Sequence, residues 1–204
     1  MNDCICVILA GGLARRMGGG DKPLIEIDGR PILQQVIDRL RPQCASLAIN
    51  ANGDPARFSV FGLPVIADSI SGSVGPLAGV LAGMDFGHDS GADHVLSAPG
   101  DTPFLPADLL SRLRAARRER SARVAVAASN GRVHHAVALW PVTLREDLRR
   151  ALVEEDERKV SAFIGRYTNA IVEWPAEPHD PFFNVNRPED RARASAIAKE
   201  ESRG

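Results

Sequence analysis

Residues 7–22 read Val7-Ile8-Leu9-Ala10-Gly11-Gly12-Leu13-Ala14-Arg15-Arg16-Met17-Gly18-Gly19-Gly20-Asp21-Lys22. An apolar run without polar alternation leads into this stretch, so we predict a strand over residues 3–10 that is buried on both faces. The next twelve residues contain five glycines, two arginines and a lysine. Glycines let backbone N–H groups approach a ligand closely, and the cations would offset the charge of a phosphate. The pattern predicts a phosphate-binding loop over residues 11–22, with a flexible surface loop as the alternative.

This loop does not match either of the two common phosphate-binding motifs. Gly11-Gly12-Leu13 does not fit G-x-G-x-x-G, and Lys22 is followed by Pro23 where the Walker pattern requires Ser or Thr. The loop therefore indicates phosphate chemistry without assigning the chain to a dinucleotide-binding or P-loop protein.

Length and composition exclude several classes of protein. A chain of 204 residues suits one domain with a substantial core, and a net charge of −1 does not favour a nucleic-acid binder. We see no signal peptide and no apolar stretch long enough to span a membrane. The three cysteines have neither zinc-site nor disulfide spacing, so we expect buried thiols in a reducing cytoplasm.

The first predicted helix begins at Pro31, after an Asp28-Gly29 turn, and a helix before residue 120 begins at Pro106. A strand over Ser46 to Asn50 leads into a loop that ends at Pro55, and the helix after Pro76 has a small face that includes Gly79 and Gly83.

The predicted elements alternate up to about residue 120 in the order strand, helix, strand, loop, strand, helix, strand, helix. This order predicts an α/β fold with a mostly parallel sheet and helices on both faces. Ligands bind such sheets outside the carboxyl ends of the strands. The candidate functional positions all follow predicted strands: the 11–22 loop, Asn50, Asp68 and Asp101. After residue 121 the pattern changes to a hairpin with an Asn130-Gly131 turn, followed by short helices and a last strand.

Asp101 stands between two prolines in Pro99-Gly100-Asp101-Thr102-Pro103, directly after a predicted strand. A carboxylate held there could ligate Mg²⁺, a hard cation that takes one or two carboxylates together with substrate phosphates. An aspartate that caps a turn is the alternative, and the spacing alone does not decide between them.

The pattern L-A-G-G-x-x-x-R-M-G-x-x-D-K over residues 9–22 resembles the signature loop of nucleotidyltransferases. The form Leu9-Ala10-Gly11-Gly12 resembles one branch of these enzymes, the molybdenum cofactor guanylyltransferases. The resemblance recurs more thinly at four later points, down to about residue 190. It implies a three-layer α/β/α Rossmann-like nucleotidyltransferase fold. It also implies transfer of GMP from GTP to molybdenum-molybdopterin cofactor, which gives the guanine dinucleotide and pyrophosphate.

The resemblance also implies roles for individual residues. Lys22, Arg16 and Asp101 would be catalytic, with Mg²⁺ on Asp101, and Arg15 has a weaker claim. The implied GTP contacts are Leu9, Ala10, Gly11, Gly12, Lys22, Asn50, Asp68 and Asp101. We expect Asp68 to accept from the N1–H and the amino group of guanine, with an aspartate cap as the alternative.

Later motifs carry fewer implied roles. Asn184 and Asn186 would bind the pterin side of the acceptor, although an Asx turn that caps the last helix is equally open. The segment Ser73–Gly79 resembles the family's G-P-L-A-G turn into a helix that faces the nucleotide. His134 and His135 are expected to be exposed strand residues. His135 resembles a family histidine that proline follows, but Ala136 stands there, so no role is carried over.

We therefore predict one nucleotidyltransferase domain over residues 1–204, with a GTP-binding half over about 1–120 and an acceptor-side half over about 121–204. The expected partners are GTP and a molybdopterin-type cofactor, with a recipient molybdoenzyme or its chaperone left open, and without nucleic acid or membrane. Three alternatives remain: cytidylyl transfer to the same acceptor, a sugar-phosphate nucleotidyltransferase, and a non-catalytic nucleotide sensor or cofactor chaperone.

Overall fold

The computed structural model describes residues 4–11, 24–70 and 75–201. Its strands are β1 (Cys4–Leu9), β2 (Glu26–Ile27), β3 (Arg30–Pro31), β4 (Ser46–Asn50), β5 (Val65–Ile66), β6 (His94–Pro99), β7 (Val124–Ser129), β8 (Arg132–Pro141) and β9 (Asn169–Trp174). Its helices are α1 (Ile32–Leu40), α2 (Pro76–Asp89), α3 (Leu109–Glu119), α4 (Arg145–Val153), α5 (Val160–Ile164) and α6 (Pro188–Glu201). A 3-10 helix also covers Pro55–Phe61.

Seven strands form one sheet in the order β5-β4-β1-β6-β8-β7-β9. Within the described ranges, β8 alone runs against the other six, because it pairs antiparallel with both β6 and β7 while the remaining pairs are parallel. The remaining two strands, β2 and β3, form a separate hairpin. The prediction of a mostly parallel sheet is confirmed.

The central strand β1 shows why the sheet needs helices on both sides. Cys4, Cys6 and Ile8 point into one hydrophobic core with α1, α3 and α6, while Ile5 and Val7 point into a second core with α2, α4 and α5. A strand buried on both faces has no need for polar alternation, which explains its continuous apolar run. The predicted layers, helices on both faces of the sheet, are confirmed.

Helix α2 lies unusually close to the sheet. A Cβ atom built on Gly83 would stand 2.6 Å from Val7 Cγ1, and one built on Gly79 would stand 2.7 Å from Leu9 Cδ2. Both distances are shorter than carbon atoms can approach, so only glycine allows this helix to rest on β1. The small face that the sequence predicts for this helix is confirmed at these two positions.

The cysteines are free thiols and all three are buried. A hydrogen bond with Cys44 and burial both raise the pKa of the Cys4 thiol. The Cys4 thiol therefore stays protonated, and all three cysteines are buried as small core residues, as expected. None of the described helices has the length and apolar character of a membrane span.

Several element boundaries differ from the prediction. Pro31 precedes α1 as its N-cap, with ψ of 140°, and is not its first residue, because it pairs with Glu26 in the β2–β3 hairpin. The helix expected to open at Pro106 begins at Leu109. The sequence predicts a loop that ends at Pro55 and no helix directly after it, whereas the structure has a 3-10 helix over Pro55–Phe61. The turns at Asp28-Gly29 and Asn130-Gly131 are confirmed, with positive φ at all four residues.

Candidate functional site

The carboxyl ends of four neighbouring parallel strands meet at one edge of the sheet. In the order β5-β4-β1-β6, these ends carry Asp68, Asn50, the Leu9–Gly11 segment and Asp101. The register aligns Leu9 with Asn50 on one side and with Pro99 on the other. Residues that lie up to about ninety positions apart in the sequence are thereby brought to the same edge, as the strand order predicts.

The backbone after β1 connects its two neighbours. The Ala10 N–H donates to the Asn50 carbonyl oxygen (2.9 Å), and the Gly100 N–H donates to the Leu9 carbonyl oxygen (2.9 Å). Gly11 is exposed, and a Cβ built on it would meet no described atom within 4 Å. The described atoms therefore do not require a glycine at this position.

Asp68 is oriented by two asparagines. Asn50 Nδ2 donates to Asp68 Oδ1 (3.0 Å), and Asn52 Nδ2 donates to Asp68 Oδ2 (2.8 Å). The Asp68 N–H in turn donates to Asn52 Oδ1 (2.9 Å). A carboxylate oxygen can accept two hydrogen bonds, so each oxygen keeps acceptor capacity for a ligand. Asn52 is absent from the residues predicted from the sequence, where it stands among the turn-forming residues after β4.

Asn50 is 5% exposed and lies against helix α2. A Cβ built on Gly79 would stand 2.2 Å from Asn50 Oδ1, so Asn50 can occupy this position only because residue 79 has no side chain. The residue after Asp68 is also held to this helix, because Ser69 Oγ donates to Asp85, which is paired with Arg149 (2.6 Å). Helix α2 thus supports both Asn50 and the segment that carries Asp68.

Helix α2 begins at the same edge of the sheet. Gly75 precedes it with φ of 129°, a backbone conformation that residues with a side chain rarely adopt. The Gly75-Pro76 helix entry predicted from the sequence is confirmed, while Ser73 lies outside the described residues. Among the described residues, no side chain caps the start of this helix, and its first amide groups lie at the carboxyl edge of the sheet.

Asp101 follows β6 and is half-buried. Its carbonyl oxygen accepts from the Val185 N–H (3.0 Å), and the buried hydroxyl of Thr102 donates to Asn184 Oδ1 (2.9 Å). The structure therefore brings Asn184 to the Asp101 segment, although the two are far apart in sequence. Thr102 makes this connection, and the sequence reasoning did not single it out.

A magnesium ion fits the donor chemistry of Asp101. In the part of the chain that the structure describes, no group of three or more His, Cys, Asp or Glu side chains could hold a metal. Proteins nevertheless often bind Mg²⁺ through only one or two carboxylates, while substrate phosphates and waters supply the other ligands. Asp101 alone is therefore a sufficient protein ligand at this edge of the sheet.

Asn186 is exposed, and its backbone N–H and that of Arg187 donate to Asp190 Oδ2 (2.7 and 2.8 Å). The described hydrogen bonds at the start of α6 are thus made by Asp190, which is a residue of the helix itself.

Residues 12–22 of the predicted loop lie outside the described ranges, and the candidate site residues among them are Gly12, Arg15, Arg16 and Lys22. Their roles remain predictions. The expectation that His134 and His135 are exposed is wrong: both are half-buried, and His134 Nε2 lies 2.7 Å from Ser129 Oγ. Strand alternation alone could not show this, because residues 180–187 cover that end of β8.

Comparisons with known proteins agree with the geometry. A family model described as a MobA-like NTP transferase domain matches residues 6–170. A molybdenum cofactor guanylyltransferase of Rhodopseudomonas palustris (strain BisB5) is 63% identical over 199 residues, which cover 97% of this chain and 95% of the relative. The protein of that name from Bradyrhizobium sp. (strain ORS 278) is 55% identical over 199 residues, covering 97% and 94%.

A solved structure from Archaeoglobus fulgidus, molybdopterin-guanine dinucleotide biosynthesis protein A, shares the fold. The TM-score is 0.74 at 21% identity, and the match covers 97% of this chain and 99% of that chain. The fold, the arrangement of the carboxyl edge and the near-complete matches to curated relatives lead to one assignment. This chain belongs to the molybdenum cofactor guanylyltransferase family and is a nucleotidyltransferase with a MobA-like NTP transferase domain.

Proposed function

We propose that this chain transfers GMP from GTP to the molybdenum-molybdopterin cofactor and releases pyrophosphate. The observation that carries the proposal is the meeting of Asp68, Asn50, Gly11 and Asp101 at the carboxyl ends of β5, β4, β1 and β6. Family membership supplies the reaction, and the arrangement of this edge supplies a place for each part of the nucleotide.

In the proposed reaction, an oxygen of the acceptor phosphate attacks the α-phosphorus of GTP. A new P–O bond forms, the bond from the α-phosphorus to the bridging oxygen breaks, and pyrophosphate leaves with the electron pair. The attacking oxygen is already anionic near neutral pH, so the step needs no general base. Positioning and charge stabilisation supply most of the catalysis in such transfers.

We assign parts of the nucleotide to parts of the edge. Asp68, held by Asn50 and Asn52, would accept from the N1–H and amino groups of guanine. The backbone of Leu9, Ala10, Gly11 and Gly12 would lie along the phosphates, with Lys22 and Arg16 offsetting their charge. Asn184 and Asn186 would contact the pterin of the acceptor, because amides both donate and accept.

Asp101 is the residue that we propose to hold Mg²⁺. A magnesium ion held by Asp101 would stabilise the negative charge of the transferring and leaving groups. The Asn184 side chain, joined to Thr102, lies beside the Asp101 segment. The proposed acceptor side therefore adjoins the proposed metal side, as transfer between two substrates requires.

We also propose that the two parts of the chain bind different substrates. Residues up to about 120 would bind the nucleotide, and those from about 121 would cover the acceptor, with Asn184 and Asn186 in the second part. A reducing cytoplasm is the proposed compartment, because Cys4, Cys6 and Cys44 are free thiols.

The test measures pyrophosphate release by the purified chain with Mg²⁺ and molybdopterin-type cofactor, in separate reactions with GTP, CTP and ATP. Release that needs both GTP and the acceptor supports the proposal. Release with CTP in place of GTP would overturn the assignment of Asp68 to guanine and favour cytidylyl transfer. Binding of GTP without release under any condition would favour a nucleotide sensor or cofactor chaperone.

A further inference from the structure

Ser129, His134 and Asp180 form a hydrogen-bonded group at the end of β7, and none of the three is a predicted nucleotide contact. Ser129 is completely buried. Its Oγ atom lies 2.7 Å from His134 Nε2 and 2.8 Å from Asp180 Oδ1. Ser129 and His134 face the same side of the sheet from neighbouring strands, since Ser129 pairs with Arg132 and Ala127 pairs with His134.

Counting protons determines how this group is connected. The serine hydroxyl has a single proton, and the Asp180 carboxylate can only accept, so Ser129 donates to Asp180. His134 Nε2 must therefore carry a proton and donate it to Ser129 Oγ. Burial lowers the pKa of His134, which favours a neutral ring, and the hydrogen bond to Ser129 then places the single ring proton on Nε2. The hydrogen bonds therefore run from His134 through Ser129 to Asp180.

This order of residues differs from that of a hydrolytic triad. There the histidine stands between the acid and the serine and removes the proton of the serine. Here the serine stands in the middle, and its proton is directed to the carboxylate. The group therefore does not activate a nucleophile, and a structural task is the consistent interpretation.

The group fixes the start of the C-terminal loop, which we define as residues 180–187. Asp180 Oδ1 also accepts from the Phe182 N–H (2.9 Å). The Phe182 ring lies on His134, with ring centroids 4.7 Å apart, and meets Trp174 edge to face at 5.5 Å. Phe182 is 2% exposed and Asp180 is half-buried, so the loop start is packed against the body of the protein.

The far part of the same loop is held at the candidate site. Asn184 Oδ1 accepts from Thr102, and the Val185 N–H donates to the Asp101 carbonyl oxygen. Few residues separate these contacts from Asp180 and Phe182, so a displacement at the start of the loop should reach Asn184. The placement of Asn184 beside Asp101 therefore depends on both sets of contacts.

We propose that Ser129, His134 and Asp180 are positioning residues that set the geometry of the acceptor-binding loop. The proposal rests on the proposed function for the role of Asn184, but its structural part concerns the loop alone. None of the three residues is placed in contact with GTP or metal. Their loss should therefore affect use of the acceptor and leave nucleotide binding in place.

The test uses the full-length chain with Ser129→Ala, together with a matched pair at His134. His134→Gln keeps an N–H donor for Ser129 but loses the ring, and His134→Phe keeps a ring against Phe182 but loses the donor. Ser90→Ala, which removes a hydroxyl bonded to the Phe86 carbonyl at the end of α2, is the control. Hydrogen exchange over residues 180–187, the KM values for acceptor and GTP, and GTP affinity are measured for each variant.

We expect Ser129→Ala and His134→Phe to speed amide exchange in the loop and to raise the acceptor KM by about tenfold, with GTP affinity unchanged, because a buried polar partner is lost. Ser90→Ala should change neither the exchange rates nor the acceptor KM. The effects of His134→Gln should be intermediate between those of Ser90→Ala and His134→Phe. Unchanged exchange in Ser129→Ala, or an equal loss of GTP affinity, would overturn the proposal. Hydrogen exchange in the loop does not depend on turnover. If the wild-type chain transferred no GMP, the proposed function would be refuted, but the exchange rates of the variants would still test the role of the three residues in the loop.

Discussion

Asp68 is held by Asn50 and Asn52, and their amides determine which groups its carboxylate can still bind. Each oxygen accepts from one asparagine and can accept one further hydrogen bond, so the carboxylate would suit a ligand with two neighbouring donors. Guanine presents such a pair, N1–H and the amino group, whereas cytosine has no ring N–H on that edge. Selectivity for the base would then depend on charge and orientation together.

Asp68→Asn should weaken GTP binding by about tenfold or more and leave CTP binding nearly unchanged, because a hydrogen bond to a charged group contributes more than one to a neutral amide. The new amide would also face the amides of Asn50 and Asn52. Equilibrium binding of the two nucleotides measures the effect.

The control is Asp54→Asn. Asp54 Oδ1 accepts from the Ala56 N–H at the start of the 3-10 helix, a task that asparagine performs equally well. This variant should bind both nucleotides like the wild type. Equal losses of GTP and CTP affinity in Asp68→Asn would remove the base-reading role from Asp68.

His134 gives the stability of the fold a pH dependence. Burial lowers its pKa from the ordinary 6.5, with Arg132 and His135 acting in the same direction and Asp180 and Glu173 opposing them. Below pH 6.5 the unfolded chain therefore binds a proton that the folded chain still excludes. The stabilisation from neutral His134 is complete above pH 6.5 and is lost as the pH falls toward the lowered value.

The free energy of unfolding of the wild type should accordingly fall more steeply below pH 6.5 than that of His134→Gln, which has no titrating ring. Denaturant unfolding of both proteins between neutral and mildly acidic pH measures the difference. Parallel curves would show that His134 has the same pKa in the folded and unfolded chain.

Single residues were predicted best where a strand delivers them. Asp101, Asn50 and Asp68 follow predicted strands, and the structure brings them to one edge as expected. Asn52 and Thr102 were not singled out, because an asparagine in a turn and a threonine before a proline have many ordinary uses. Their contacts arise only when β4 and β5 pair and when the 180–187 loop reaches β6.

At the scale of elements, the distance between α2 and β1 controls the site. Gly79 gives room to Asn50, while Gly83, one turn later, faces Val7 in the core. The sequence indicates a small helix face, but it could not show that one glycine borders a site residue and the next a core residue. That difference depends on how far along β1 the helix lies.

Gly79→Ala should displace Asn50, whose Oδ1 would lie 2.2 Å from the new Cβ, and should therefore weaken GTP binding. Gly83→Ala is the matched control, because its Cβ would press on Val7 at 2.6 Å without reaching Asn50. We expect both variants to lose about 1–3 kcal/mol of stability from overpacking. GTP affinity should fall in Gly79→Ala alone, and a similar fall in both would point to a general loosening of the helix.

Element boundaries were less predictable where tertiary contacts decide them. The α3 start is displaced to Leu109 because the Gln43 side chain bonds both the Pro106 carbonyl and the Leu110 N–H, which holds this segment against the end of α1. The strand β4 coincides with its prediction at Ser46–Asn50, since its apolar run is bounded by turn formers on the carboxyl side. Local sequence signals therefore predict the bounds of β4 correctly but not the first residue of α3.

At the scale of the whole molecule, alternation of strands and helices predicts the layers but not the full strand order. The insertion of β8 between β6 and β7 depends on long-range pairing of Ser97 with Ala138, which no local pattern encodes. This insertion places the His134 end of β8 beside the carboxyl end of β6. The 180–187 loop can then connect the two, which joins the C-terminal part of the chain to the nucleotide edge.

The measurement that tests this account most directly compares turnover and GTP affinity in Asp101→Ala, with the exposed Asp89→Ala at the end of α2 as control. If Asp101 holds the metal, its loss should reduce pyrophosphate release by about a hundredfold or more while GTP affinity stays within about threefold, because the lost interaction acts mainly on the transition state. Asp89→Ala should match the wild type. Unchanged turnover in Asp101→Ala would contradict the assignment of catalysis to this edge of the sheet.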